Sequence, residues 1–239
     1  MAKRARSTSD DLASPDIRVA HPEFGPDTIA AIEQWRTKWR ADESPLADGS
    51  LPEAGPWDEG ESVAKAVHSS RGKPGADFLN LLANLYRPRK VLELGTNLGI
   101  STGYFAAAMK AAGQGGVIHT IDASPYRLRL AARMHAALGL DNVVYHAGRF
   151  LDVLPGLVEQ EQGFDMVFVD AQHDQKNTNR LASLIQPALA PVALYLQNGV
   201  EVSDGMRVSW NHMRTIAAGG FASSEVNGLG VVLIRNPEA

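Results

Sequence analysis

The sequence predicts an α/β fold: a doubly wound, mostly parallel seven-stranded sheet with an antiparallel C-terminal hairpin and an N-terminal helical extension. Three observations carry that prediction. Short apolar runs alternate with helix-length segments between Lys90 and Gln197. The run opening at Val91 ends in an acidic residue and a glycine-spaced turn, the mark of a buried strand entering a helix. After Gln197 the rhythm breaks, and two apolar runs flank a GLG turn.

Residues 1–25 mix Ser, Asp, Pro and Arg with few large apolar side chains, too little burial to offset the entropy of ordering, and read as a flexible arm. Asp27 can cap a helix over 27–41, whose stripe of Ile29, Ile32, Trp35, Lys38 and Trp39 reads as packing surface. Pro, Gly and acidic residues make 44–59 a linker, with Trp57 placed to fill a groove. The chain thus divides into an arm (1–25), a helix with linker (26–60) and a main domain (61–239). In that domain helices are expected over 62–69 and 75–86, with Pro88 closing the second. Strands follow over 90–94, 117–122, 143–147, 166–170 and 192–197. Helices over 101–112, 126–138, 150–159 and 178–188 separate them, and 206–218 is helical before the hairpin strands. Met206 and Trp210 are apolar on that last helix and read as packing against the hairpin, with an aromatic pocket as the alternative.

At 239 residues, 44% hydrophobic and 21% charged, the chain suits one substantial domain with an appendage. A net charge of −4, with basic residues grouped only at Lys3, Arg4 and Arg6, disfavours nucleic acid as a partner. With no cysteine, chemistry falls to carboxylates, histidines, amides or a cofactor. MAKRARSTSDDL lacks the apolar core of a leader and no run approaches bilayer length, so a cytoplasmic protein without a membrane partner is expected.

The spacing Glu93-x-Gly95-x-x-x-Gly99 puts a carboxylate at a strand tip and glycines where backbone can approach a ligand. Asp122 ends the next strand, a little over twenty residues beyond Gly99, where a carboxylate can accept both hydroxyls of a ribose. A diphosphate site would carry glycine in place of Glu93, whose charge repels phosphate and attracts ammonium. A ligand with a ribose and a cation fits, as in S-adenosylmethionine; the plainer alternative is an ordinary turn whose glycines serve geometry alone.

On VLELGTNLGIST (91–102) and IDASP (121–125) the chain resembles the class I S-adenosylmethionine-dependent methyltransferases of Rossmann-like fold, and more closely the small-molecule O-methyltransferases of the catechol and caffeoyl-CoA type. The resemblance runs from about Val67 to the C-terminus. It implies that Glu93 faces the cofactor's amino group, Gly95 and Ser101 its methionine part, Asp122 the ribose and Ala123 the adenine. It also implies that His68 and Ser70 lie by the methionine carboxylate, and that Gly148, Arg149 and Phe150 in HAGRFLDVLPGL wall the adenine. Arg149 and Phe150 replace the family's small or acidic residues, so stacking is expected to hold part of the adenine there.

FDMVFVDAQHDQ (164–175) resembles the stretch where the family's aspartate ligates a divalent metal and a lysine deprotonates the acceptor. Asp170 matches the aspartate, so it would be a catalytic and cofactor-side residue, and His173 stands for the lysine. A histidine of ordinary pKa about 6.5 can take a proton at neutral pH without the depression that lysine needs. The family's Asp-Asn metal pair appears here as Gln197 and Asn198, leaving Asp170 as the only carboxylate of the three. Hard cations such as magnesium favour anionic oxygen, so metal use stays open, with Asp174 or Glu201 as substitutes. The resemblance implies O-methylation of a small hydroxylated molecule, plausible for secondary metabolism; a homodimer built on the N-terminal helix is a separate expectation. N-methylation, another reaction on the same cofactor, and cofactor binding without methyl transfer are the rival readings. NAD-dependent hydride transfer is more distant, because of Glu93.

Overall fold

A computed structural model describes residues 25–51, 55–113, 115–170, 174–217, 224–226 and 228–236. In chain order the elements are α1 (Pro26–Arg40), α2 (Val63–His68), α3 (Lys73–Tyr86), β1 (Lys90–Leu94), α4 (Ile100–Ala111), β2 (Val117–Asp122), α5 (Pro125–Ala137), β3 (Val143–Ala147), α6 (Phe150–Gln160), β4 (Phe164–Val169), α7 (Gln175–Ile185), β5 (Leu189–Asn198), α8 (Asp204–Ile216), β6 (Ser224–Val226) and β7 (Leu229–Arg235). The contacts separate two units, Met1–Arg87 with Thr96–Gly148, and Pro88–Gly95 with Arg149–Ala239.

In the first unit β2 and β3 pair in parallel from Ile118 opposite Val143 to Asp122 opposite Ala147. Helix α4 is buried at every position from Ile100 to Met109, which its all-round apolar and small composition requires. Part of that cover is α1, whose Ile32 Cδ1 lies 3.1 Å from where a Cβ on Gly103 would stand. The buried face of α1 is Thr28, Ile32, Arg36 and Trp39, rotated from the expected stripe, and Trp35 is only half-buried. Arg36 explains the rotation: a guanidinium this deep needs partners, and it donates to Glu33 Oε1 at 3.0 Å and to the Arg71 carbonyl at 2.5 Å. Glu33 also accepts from the Tyr104 hydroxyl at 2.9 Å, which ties α1 to α4.

Residues 44–51 and 55–59 are more firmly attached than their composition suggests. Leu46 is buried, its amide donates to the Glu61 carbonyl at 2.8 Å, and Tyr126 of α5 donates to the Leu51 carbonyl at 2.6 Å. Trp57 does not fill a groove with its ring, which stays exposed; its carbonyl accepts from Arg127 at 3.3 Å instead. Helix α5 starts at Ser124, whose hydroxyl accepts from the Arg127 amide at 3.1 Å. Ser124→Ala should lower stability by about 1 kcal/mol, the usual loss of a serine cap, read from urea unfolding.

In the second unit β4 lies between β1 and β5, both parallel to it, with Leu94 opposite Val169 and Val169 opposite Gln197. β7 pairs antiparallel with β5 and with β6, giving a mixed arrangement with an antiparallel edge pair. Strand β5 begins earlier than the expected 192. Phe164 pairs with Leu189 and Met166 with Leu194, so the surplus residues bulge, and Pro191 sits there without breaking the ladder. The helix expected over 178–188 ends at Ile185 and tightens into a 3₁₀ turn at Gln186–Ala188, where Pro187 cannot continue it. The start of the expected hairpin, including Phe221, lies outside the described residues. Trp210 of α8 is buried against Gly230, where a Cβ would fall 2.6 Å from the indole, and Met206 is buried too. Trp210 therefore packs on the hairpin, whereas Met206 Sδ accepts from the Thr178 hydroxyl of α7 at 3.5 Å.

Candidate functional site

In the first unit the residues expected to touch a nucleoside gather around the tight turn Thr96–Gly99. Its amide at Gly99 donates to the Thr96 carbonyl at 2.8 Å, and Thr96 shares a 2.6 Å hydrogen bond with Thr120 of β2. Asn97 adopts φ 48°, a left-handed conformation that asparagine tolerates better than most residues. Its amide donates to Asp122 Oδ2 at 2.8 Å, while the Ser124 amide donates to Oδ1 at 2.9 Å. An ionised carboxylate offers about four lone-pair sites, so these two donors fix Asp122 and leave it able to accept a diol. Burial pushes the Asp122 carboxyl above the ordinary carboxylate range, and the two amides with the Arg127 guanidinium pull it back.

The Asn97 side chain donates to the Ala66 carbonyl at 2.8 Å and to Ser70 Oγ at 3.2 Å, and accepts from Arg127 at 3.1 Å. Ser70 is thereby brought to the turn, whereas His68 is exposed at the end of α2. Ser101 is buried in the first turn of α4, Ala123 follows Asp122, and Gly148 donates its amide to the Asp122 carbonyl at 2.9 Å. Asn97 and Arg127 were not singled out from sequence; the only local signal was an asparagine inside a glycine turn.

Gly99 has φ 77°, and a Cβ there would stand 2.7 Å from both Ala131 Cβ and His135 Cε1. Burial holds the His135 imidazole down at about 4 from an ordinary 6.5. Between those values the unfolded chain binds a proton that the fold refuses, so this contribution is complete above pH 6.5 and is lost as pH falls toward 4. Its full span is on the order of 3 kcal/mol. Urea unfolding at a series of pH values between neutral and 4.5 should show a steeper loss for the wild type than for His135→Gln.

In the second unit Glu93 is fully buried on β1, opposite Phe168 of β4. Gly95 takes φ 104° directly after that strand. The Asp170 amide donates to the Leu94 carbonyl at 2.9 Å, and Asn198 Nδ2 donates to Asp170 Oδ1 at 2.5 Å. Arg149 is exposed at the head of α6, and Phe150, half-buried, is its first residue. His173, with Ala171 and Gln172, lies outside the described residues.

The metal set Asp170, Gln197 and Asn198 does not fit a hard divalent cation. Gln197 and Asn198 are consecutive in a paired strand, so their side chains leave opposite faces of it. Gln197 is opposite Gly230, on the face that Trp210 covers, and its fully buried amide has no hydrogen-bond partner among the described residues. Asn198 Nδ2 lies 2.5 Å from Asp170 Oδ1, so the two side chains meet. One carboxylate remains. Neither substitute supplies another: Asp174 caps α7 by accepting from Asn177 at 2.9 Å, bonds that hold its carboxyl below the usual range, and Glu201 is exposed.

Residues 92–197 match the family model described as a methyltransferase domain. Over that stretch, less than half of the chain, the sequence is similar to methyltransferase domains. Catechol O-methyltransferases of Niastella koreensis and Mycobacterium tuberculosis are 37% identical to it over 127 residues and 36% over 118. These stretches are 52% and 49% of this chain and 52% and 50% of the relatives, so the chain spans about half the length of the curated relatives it matches. Among solved structures, an O-methyltransferase from Bacillus cereus in complex with SAH superposes with TM-score 0.58 at 21% identity, over 85% of this chain and 100% of that one. The O-methyltransferase TomG from Streptomyces achromogenes, involved in tomaymycin synthesis and in complex with SAM, gives 0.61 at 21%, over 88% and 91%. At those identities the likeness is one of fold alone.

Proposed function

We propose that this chain is an S-adenosylmethionine-dependent methyltransferase that transfers the methyl group to a hydroxyl of a small molecule, with His173 as general base. The observation that carries the reading is Asp122, a half-buried carboxylate fixed by two backbone amides with acceptor capacity left for a ribose diol. The names of the catechol O-methyltransferase relatives support a hydroxylated acceptor, and tomaymycin synthesis by a structural neighbour supports secondary metabolism.

Asp122 takes the ribose hydroxyls, Glu93 the ammonium group, and Ser70 with Ser101 the methionine part; Arg149 and Phe150 stack on the adenine. Bound there, the sulfonium supplies an activated methyl group. The protein's share is to hold the acceptor oxygen in line with it and to accept a proton at the His173 imidazole. Asp170 is held by the Asn198 N–H. One continuous seven-stranded sheet, an N-terminal helical extension over α1, a cytoplasmic homodimer and no nucleic-acid or membrane partner complete the proposal. Among the described residues no helix is long and apolar enough to cross a membrane.

Calorimetry tests the cofactor assignment: S-adenosylmethionine should bind and NAD should not, and the reverse result overturns it. For the metal, activity should survive exhaustive chelation, and Mn2+ titrated into the protein should show no one-to-one site by electron paramagnetic resonance. A stoichiometric Mn2+ site abolished by Asp170→Asn would contradict the donor-set argument.

A further inference from the structure

Two residues of α5, about two helical turns apart, grip the two halves of the Thr96–Gly99 turn. Arg127 donates to Asn97 Oδ1 at 3.1 Å and His135 Nε2 meets the Gly99 carbonyl at 2.8 Å. The same carbonyl accepts the first helical hydrogen bond of α4 from the Gly103 amide, also at 2.8 Å. With both lone pairs engaged, the peptide at the head of α4 is held against tilting. On its far side the imidazole reaches β3, where Nδ1 lies 2.5 Å from the Tyr145 hydroxyl.

The partners settle the proton's place. A carbonyl can only accept, so Nε2 carries the hydrogen; Nδ1 is then the acceptor and Tyr145 donates. Only the neutral imidazole in this tautomer meets both demands with Tyr145 as donor, and burial keeps it neutral, since its pKa is held at about 4. Packing alone does not call for a histidine here, because an apolar ring of similar size would fill the space beside Gly99 and Gly103 without a buried polar group to satisfy.

We infer that His135 is a positioning residue for the methyl donor, a hydrogen-bonded strut from Tyr145 on β3 to the Gly99 carbonyl that fixes how the Thr96–Gly99 turn and the head of α4 face the cofactor. The inference rests on the reading of this turn as part of the S-adenosylmethionine site. His135 touches no reacting atom in it and acts through Gly99.

The test combines calorimetry with SAH and long-range ¹⁵N NMR of the imidazoles. The wild type should show His135 protonated on Nε2, with or without SAH, and the Nδ1-protonated tautomer would overturn the inference. His135→Phe should weaken SAH binding at least tenfold while circular dichroism shows the native fold. His135→Gln, which restores an N–H toward Gly99 and an acceptor toward Tyr145, should stay within threefold of the wild type. A purely structural role predicts the opposite division, lowered melting temperatures with unchanged SAH affinity, and that result refutes the strut. Should His135→Phe not fold, Tyr145→Phe serves: at least threefold weaker binding is expected, and unchanged affinity refutes the proposal. If the wild type binds no SAH although the tautomer is as stated, the cofactor reading fails and the inference falls with it. Wild-type binding that His135→Phe leaves intact overturns the inference alone.

Discussion

Asp122→Ala is expected to weaken S-adenosylmethionine binding by on the order of a hundredfold, since a hydrogen bond to a charged group contributes about 1.5–3 kcal/mol and two ribose hydroxyls lose their acceptor. The ionised carboxylate is held half-buried against the pull of desolvation, so its removal also frees the fold from an unfavourable charge. The same substitution orphans the Asn97 and Ser124 amides, which opposes that gain. Stability should therefore change little while affinity collapses, a division that calorimetry beside urea unfolding would display. A parallel loss of both would mean that Asp122 serves the turn and not the ligand.

His173→Ala should leave S-adenosylmethionine affinity unchanged and lower kcat by roughly a hundredfold or more, the range for removal of a general base. The acceptor hydroxyl must lose its proton as the methyl arrives, and the resemblance offers His173 for that step. A pH profile adds a signature. The wild-type kcat should rise through the pKa of an imidazole, near 6.5 when unperturbed, and the rise should vanish in the variant. An alanine variant with full turnover on a hydroxylated acceptor removes His173 from this role.

Much of the architecture was readable because its signals are local. Apolar runs and helical spacing placed β1, β2, β3 and their helices within a residue or two, and the acidic strand ends Glu93, Asp122 and Asp170 stood out by position alone. Features that depend on register or distant contact stayed hidden. Gln197 looked like a poor ligand from its chemistry, but only its pairing with Gly230 puts it on the face away from Asn198. His135 was not singled out from sequence, because its partners Gly99 and Tyr145 come from two other elements. The strand expected from 192 starts earlier, and the bulge that accommodates Pro191 needs knowledge of the neighbouring strand. Arg36 broke an apolar stripe for a reason that lies far along the chain, at Arg71 and Tyr104.

That last arrangement bears on how the chain reaches its fold. Helix α1 leaves the ribosome long before α4, yet the Glu33 carboxylate that pairs with Arg36 is finished only by the Tyr104 hydroxyl, and Ile32 by the surface around Gly103. Until α4 follows, the guanidinium and the apolar residues beside it have water as their alternative, so α1 docks late and its closure sets a long loop. The segment that matches the family model, 92–197, omits this helix. A fragment trimmed to that segment would display the α1-facing side of α4 as bare apolar surface and would be driven toward self-association.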